Sequence, residues 1–343
     1  MLIYIILLVV LALLALVEFK SKFLFLFFFV VMFLISALRS FVGSDYKNYY
    51  DVFVNYPKDR FAEPVFNYAI TFFKYLSLPP SSFFIFVSFF TILFLFKSIK
   101  NANVPVFFAL FLFIATRGYF ESFNIIRQYL VITIMLYSVG FLSEDNRSRR
   151  KFFLTTILCV FIHYSAIFYM VMYFFIVRKF NTFFWVLMIL ISLISVEFNI
   201  VPLSFIPPIY HSYVDTSHFS RSEFSGVGLG FLLFNLIAVI IAIYYDKISV
   251  NRRLSLYLNM YFIGVLLQNI SFQAIIFRRF SVAFLIAQII VIPYLISLIK
   301  CHKQRFWARL VVLLLFFVLF LRGIELDSNY LEYNWILSDM IVF

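Results

Sequence analysis

Eleven apolar stretches, at about residues 2–17, 23–38, 81–96, 104–116, 124–142, 152–177, 182–200, 227–245, 254–270, 280–299 and 310–322, take up most of this 343-residue chain. Hydrocarbon offers no water to backbone N–H and C=O groups, so a stretch that enters it must close its hydrogen bonds internally, as helix. An all-α polytopic integral membrane protein with about 11–12 transmembrane helices is expected, forming a single integral membrane domain over 1–343. Charged residues make up 13% of the chain against roughly 25% in soluble domains, so the soluble classes are set aside. The first stretch has neither a basic leader nor a clear small-x-small cleavage site, and it reads as a retained span. A net charge of +12 would suggest nucleic acid in a soluble protein. Here the basic residues sit in short loops between spans, as the positive-inside bias requires, and nucleic-acid binding is rejected.

Basic loops at Lys20 and Lys22, Lys97 and Lys100, Arg147 to Lys151, Lys247 to Arg253 and Lys300 to Arg309 are assigned to the cytoplasm. Glu18, Glu144, Asp145 and Asp246 are then the only four of the 16 acidic residues on that side, an asymmetry the assignment did not presuppose. Outer loops follow at about 39–81, 201–225 and 323–343. Parity fails once, because three stretches separate the loops at 147–151 and 247–253. The longest stretch, Phe152 to Val177, holds Phe161-Ile-His163-Tyr-Ser165 near its middle. Two short helices meeting at His163 would restore parity and return Arg178 and Lys179 to the cytoplasm. His163 would then face a polar interior, since non-helical backbone at that depth must be buried in protein or line a cavity. A single tilted helix with a hydrogen-bonded histidine is the other reading.

On this layout Arg39, Arg117, Arg127, Arg221, Arg278, Arg279 and Arg322 all fall at or beside the outer ends of apolar stretches. An arginine costs roughly 2.5 to 3.5 kcal/mol at a span's centre and less at its end, so several at one level suggest a cavity that gathers negative charge. A phosphate-bearing lipid is the expected anion. The first outer loop carries Asp45, Tyr46, Tyr49 and Glu63. Aromatic faces beside carboxylates suit a sugar, whose apolar faces they cover and whose hydroxyl protons they accept; an interfacial aromatic belt with solvated charges is the alternative. If a helix runs from about residue 120, Glu121, Asn124 and Gln128 share a face with Arg127 beside it. Arg278 and Arg279 form a pair of guanidinium forks able to clamp a pyrophosphate, or else to snorkel at the interface.

His211, Asp215 and His218 approach metal-ligand spacing, but Pro202, Pro207 and Pro208 make that segment irregular and no fourth ligand completes a set. Neither a metal nor another cofactor is expected. Two cysteines, Cys159 and Cys301, are too few for a disulfide framework.

Arg39 followed by Gly43-Ser-Asp45-Tyr46-x-x-Tyr49, Glu63-Pro64-x-Phe66, Asn124-x-x-Arg127-Gln128, His163-Tyr-Ser165 and Arg278-Arg279-Phe280 with Pro293 downstream occur in this order across most of the chain. Together they resemble the EpsG family of membrane polysaccharide polymerases, related in role to Wzy O-antigen polymerases. The resemblance implies a GT-C-like membrane glycosyltransferase of the bacterial cytoplasmic membrane. It would join oligosaccharide repeat units carried on undecaprenyl pyrophosphate, facing outward, in O-antigen, capsule or exopolysaccharide synthesis. The implied partners are lipid-linked donor and acceptor, membrane lipid and a chain-length regulator. Asp45 is the first candidate for general base on the acceptor hydroxyl, with Glu63 and His163 as rivals. Arg127, Arg278 and Arg279 are assigned to the pyrophosphate, with Arg39, Tyr46, Tyr49, Arg117, Asn124 and Gln128 as further substrate-binding residues. A lipid-linked oligosaccharide flippase would also need a cationic cavity, but with cations along a path and paired halves, and no internal repeat is visible. A ligase transferring finished glycan differs only in its acceptor.

Overall fold

The computed structural model describes residues 2–43, 45–55, 63–143, 146–196, 229–272, 276–325 and 333–334. Every regular element among them is helical. In chain order they are α1 (Leu2–Leu16), α2 (Lys22–Ala37), α3 (Tyr46–Asn55), α4 (Pro64–Tyr75), α5 (Pro80–Ala102), α6 (Val106–Ala115), α7 (Gly118–Asn124), α8 (Ile126–Val139) and α9 (Asn146–Ile162). Short 3-10 turns lie at Gly140–Ser143, between α8 and α9, and at Tyr164–Ala166; after the second come α10 (Ile167–Val171), α11 (Tyr173–Val177), α12 (Thr182–Ile194), α13 (Leu229–Ile243), α14 (Tyr245–Ile248), α15 (Arg252–Ile270), α16 (Ile276–Leu285), α17 (Gln288–Ser297) and α18 (His302–Glu325).

Among the described residues three helices are long and apolar enough to cross a membrane: Pro80–Ala102, the run Ile276–Ser297 that joins α16 and α17, and His302–Gly323. A fourth is made by α6 and α7 if that pair, bent by 57°, is one broken span. Shorter apolar helices of 10–17 residues begin at Leu2, Lys22, Ile126, Thr182 and Gly230. These are the helices of a multi-pass membrane protein. Breaks account for much of the difference from the eleven stretches of the sequence. The stretch at 152–177 divides at His163, whose extended backbone (φ −158°, ψ 125°) ends α9 at the position the parity argument requires. A continuous helix from about residue 120, the condition for that shared face, does not form. The chain turns at Ile125 (φ −85°, ψ 57°), so Glu121 and Asn124 end one helix and Arg127 and Gln128 begin the next. Within the outer loop expected at 39–81, Tyr46–Asn55 and Pro64–Tyr75 are helical, as α3 and α4.

Backbone contacts group the chain into two compact units, Met1–Met170 with Ile292–Phe343, and Val171–Val291. Within the first, α6 is buried from Phe107 to Ala115, as a helix apolar on all sides should be, and α1 and α18 pack against it. Helix α5 packs on α2 and α8, and α8 on α9. The turn after α1 is tied to α18 by Glu18, whose carboxylate meets Arg305 at 2.9 Å and the buried Arg309 at 2.5 Å.

The second unit is built round α15, buried along nearly its whole length. Gly264 makes this possible on one side: a Cβ there would lie 2.5 Å from the backbone nitrogen of Leu285, so only glycine lets α16 come so close. On another side Asn269 and Asn235 exchange amide hydrogen bonds at 2.8 and 2.9 Å, and Asn269 also donates to Ser192 at 2.8 Å. Asn259 donates to the carbonyls of Ile176 and Arg178 and accepts from the Tyr245 hydroxyl, which satisfies backbone acceptors at the end of α11.

Candidate active site

Three helix boundaries of the first unit bring Glu63, Arg127 and His163 together. Pro64 opens α4 at a position where its missing N–H costs nothing, and leaves Glu63 as the residue before the helix, with extended backbone (φ −89°, ψ 124°). A side chain there ordinarily caps its own helix. That of Glu63 makes no such bond. Its carboxylate instead accepts from an Arg127 terminal nitrogen on one oxygen and meets His163 Nδ1 at 2.6 Å on the other. Arg127 is in the first turn of α8, just past the turn at Ile125, and His163 is the break residue after α9. Helix α4 packs on α5 and α9, and α8 on α9, so each boundary rests on an element it shares with another.

Tyr49, Phe53, Phe66, Phe83 and Ile126 belong to one buried apolar cluster. Tyr49, on α3, joins it to the site: its hydroxyl accepts from Arg127 Nε at 3.4 Å, and the guanidinium carbon is 5.8 Å from its ring centre. The Glu63 side chain is only 6% exposed, while Arg127 and His163 keep 20% and 21% of theirs open. The carboxylate is thus the inner anchor, and the cation and imidazole are its accessible ends.

Burial favours the neutral form of Glu63, yet the His163 hydrogen bond and the Arg127 charge outweigh it and hold the carboxyl below its ordinary range. Burial raises the Tyr49 phenol, against the pull of Arg127, so it stays a neutral hydroxyl. An ionised carboxylate only accepts, so the proton in the 2.6 Å contact belongs to His163 Nδ1. In the neutral ring that leaves Nε2 with a lone pair. A carboxylate in this position can fix the tautomer of a neutral imidazole.

The other candidates are distributed as follows. Asp45 is half-buried and accepts, through its carbonyl, the Tyr49 N–H at 3.2 Å, one turn below the Tyr49 ring. Tyr46 is buried and stacks on Phe84 at 4.3 Å and 10°. Asn124 lies against Gly43, whose φ of +98° and a Cβ position 2.5 Å from Asn124 Oδ1 both call for glycine. Gln128 is buried. Arg117, left-handed at φ 66°, donates to the Gly323 carbonyl at 3.4 Å, which joins the α6–α7 bend to α18. Arg39 is buried. Arg278 and Arg279 are exposed in the first turn of α16, in the second unit. His211, Asp215, His218 and Arg221 lie outside the described residues. Among the described residues no three His, Cys, Asp or Glu side chains cluster as metal ligands would.

Two features were not read from the sequence: Glu63 at the centre of a paired cluster, and Ser36 and Ser88 as partners of Arg39. The first had a signal in Glu63-Pro64, a carboxylate fixed ahead of a helix start. The second had none, since serines in apolar helices are common and local spacing does not pair them.

No curated protein and no solved structure matches the chain. A family comparison matches residues 22–335, nearly the whole sequence and every residue of the Glu63 cluster. The chain belongs to the EpsG family.

Proposed function

We propose that this protein is a polysaccharide polymerase of the bacterial cytoplasmic membrane, crossing it 11 to 12 times in a GT-C-like arrangement, with its site on the outer face. The observation that carries the chemistry is the 2.6 Å contact of His163 Nδ1 with an ionised Glu63. Family membership supports the choice of polysaccharide as product.

In this reading the acceptor is the terminal sugar of one lipid-linked oligosaccharide, and the donor is the glycan of another. His163 Nε2 takes the proton of the acceptor hydroxyl as its oxygen bonds to the donor's anomeric carbon. The bond from that carbon to the pyrophosphate oxygen breaks, and undecaprenyl pyrophosphate leaves with the electron pair. Glu63 stabilises the imidazolium that forms, and of the three acidic or basic candidates it is thus an orienter. Arg127 offsets the charge developing on the pyrophosphate. The aromatic and acidic segment that carries Asp45 receives sugar.

The test is transfer in liposomes containing the purified protein and a synthetic lipid-linked repeat unit, with product length read by mass spectrometry. Polymer and free undecaprenyl pyrophosphate should appear together, and both should fall by a factor of about a hundred or more in His163→Gln. Repeat units crossing the bilayer without being joined would establish a flippase instead.

A further inference from the structure

Arg39 is a cation sunk in the first unit, 1% exposed. One terminal nitrogen donates to the Ser36 carbonyl and, at 3.3 Å, to Ser88 Oγ; the other donates to the Phe123 carbonyl at 3.4 Å. The guanidinium carbon stands 4.8 Å from the Phe123 ring centre, 5.5 Å from that of Phe84 and 5.9 Å from that of Tyr46. Among the described residues the titratable groups that act on it are the phenols of Tyr46, Tyr333, Tyr119 and Tyr4.

The three acceptors have a common meaning. Ser36 is the second-last residue of α2 and Phe123 the second-last of α7, so both carbonyls lie at helix ends that leave backbone acceptors unpaired. In an unbroken helix the Phe123 carbonyl would accept the N–H of Arg127. Because the chain turns at Ile125 it needs another donor, and Arg39 supplies it. One planar fork therefore caps two helix ends where the helix dipole favours a cation, and grips α5 through Ser88.

We propose that Arg39 is a positioning residue for Arg127: by closing the end of α7 it fixes the turn from which α8 aims Arg127 at Glu63. The same guanidinium packs on Tyr46 of α3, the helix that supplies Tyr49 to Arg127. The consequence for catalysis rests on the polymerase reading; the consequence for Glu63 does not. If Arg127 loses its aim, the buried carboxyl keeps its His163 hydrogen bond but loses the Arg127 charge that helps offset its burial, and its affinity for a proton rises.

The experiment uses the full chain in detergent, with folded protein selected by size exclusion and two readouts. Dicyclohexylcarbodiimide attacks protonated carboxyls in apolar surroundings, so mass spectrometry of its adduct at Glu63 reports Arg127's aim. Transfer between lipid-linked repeat units reports catalysis. Arg39→Lys should raise the Glu63 adduct toward the level in Arg127→Ala. It should lower kcat by about ten- to a hundredfold with little change in donor KM, as sub-ångström to ångström misplacement does. Wild-type adduct levels in folded Arg39→Lys would overturn the proposal. So would a raised KM at unchanged kcat, the mark of a residue that binds pyrophosphate itself. If Arg39→Lys does not fold, Ser88→Ala decides: a smaller rise in the adduct supports the proposal and none overturns it. A wild-type protein with the expected adduct pattern and no transfer would leave Arg39's role standing and refute the polymerase reading.

Discussion

Glu63 gathers a proton donor and a cation on one buried carboxylate, and its behaviour with pH follows from them. Its folded pKa is depressed, so the stability it contributes is fully present above the ordinary carboxylate value of about 4.3. That stability is lost as pH falls through the lower folded value. Thermal melts of wild type and Glu63→Gln should therefore differ most near neutrality and converge on acidification below about pH 4, and a constant difference would contradict the pairing. Glu63→Gln keeps the size of the side chain but loses the ionised acceptor that fixes the His163 tautomer. Transfer should drop by roughly a hundred- to ten-thousandfold with folded protein retained. Lysine at 127 should not restore a site that uses both an end nitrogen and Nε of a planar fork.

The elements of this chain are held in place by glycines and amides where apolar packing alone would leave register free. Gly264→Ala puts a methyl group into the backbone of α16, at 2.5 Å from Leu285 N and 2.9 Å from the Phe284 carbonyl carbon. Neither atom can swing aside, so a loss of about 1 to 3 kcal/mol is expected in denaturant or thermal unfolding in detergent. Asn269→Ala should cost less, about 0.6 to 1.7 kcal/mol, because hydrogen bonds between membrane helices are modest in net value. Helical class and the break at His163 were legible in the sequence, the first from apolar run length and the second from charge parity across the loops. The turn at Ile125 was not, because Ile125 and Ile126 are as apolar as their neighbours and the carbonyl it releases is satisfied by Arg39, 84 residues away in sequence from Phe123. The same lack of local signal explains Glu63: its residue type and neighbouring proline mark it, but His163 is 100 residues distant and only the fold brings them together.

At the scale of the whole molecule, the basic loops and the Glu63 cluster should lie on opposite membrane faces. In intact cells an impermeant thiol reagent should label Lys47→Cys, exposed on α3, and spare Arg149→Cys, exposed on α9. The reverse pattern would place the cluster in the cytoplasm. A polymerase with an outward site consumes lipid-linked repeat units that have already crossed, so its failure has a location as well as a chemistry. The most direct test of an oriented His163 base is mass spectrometry of lipid-linked glycans from cells in which His163→Gln replaces the wild-type chain at equal protein level. Single repeat units accumulating on the outer leaflet, without polymer, are the expected result; polymer of wild-type length would contradict it.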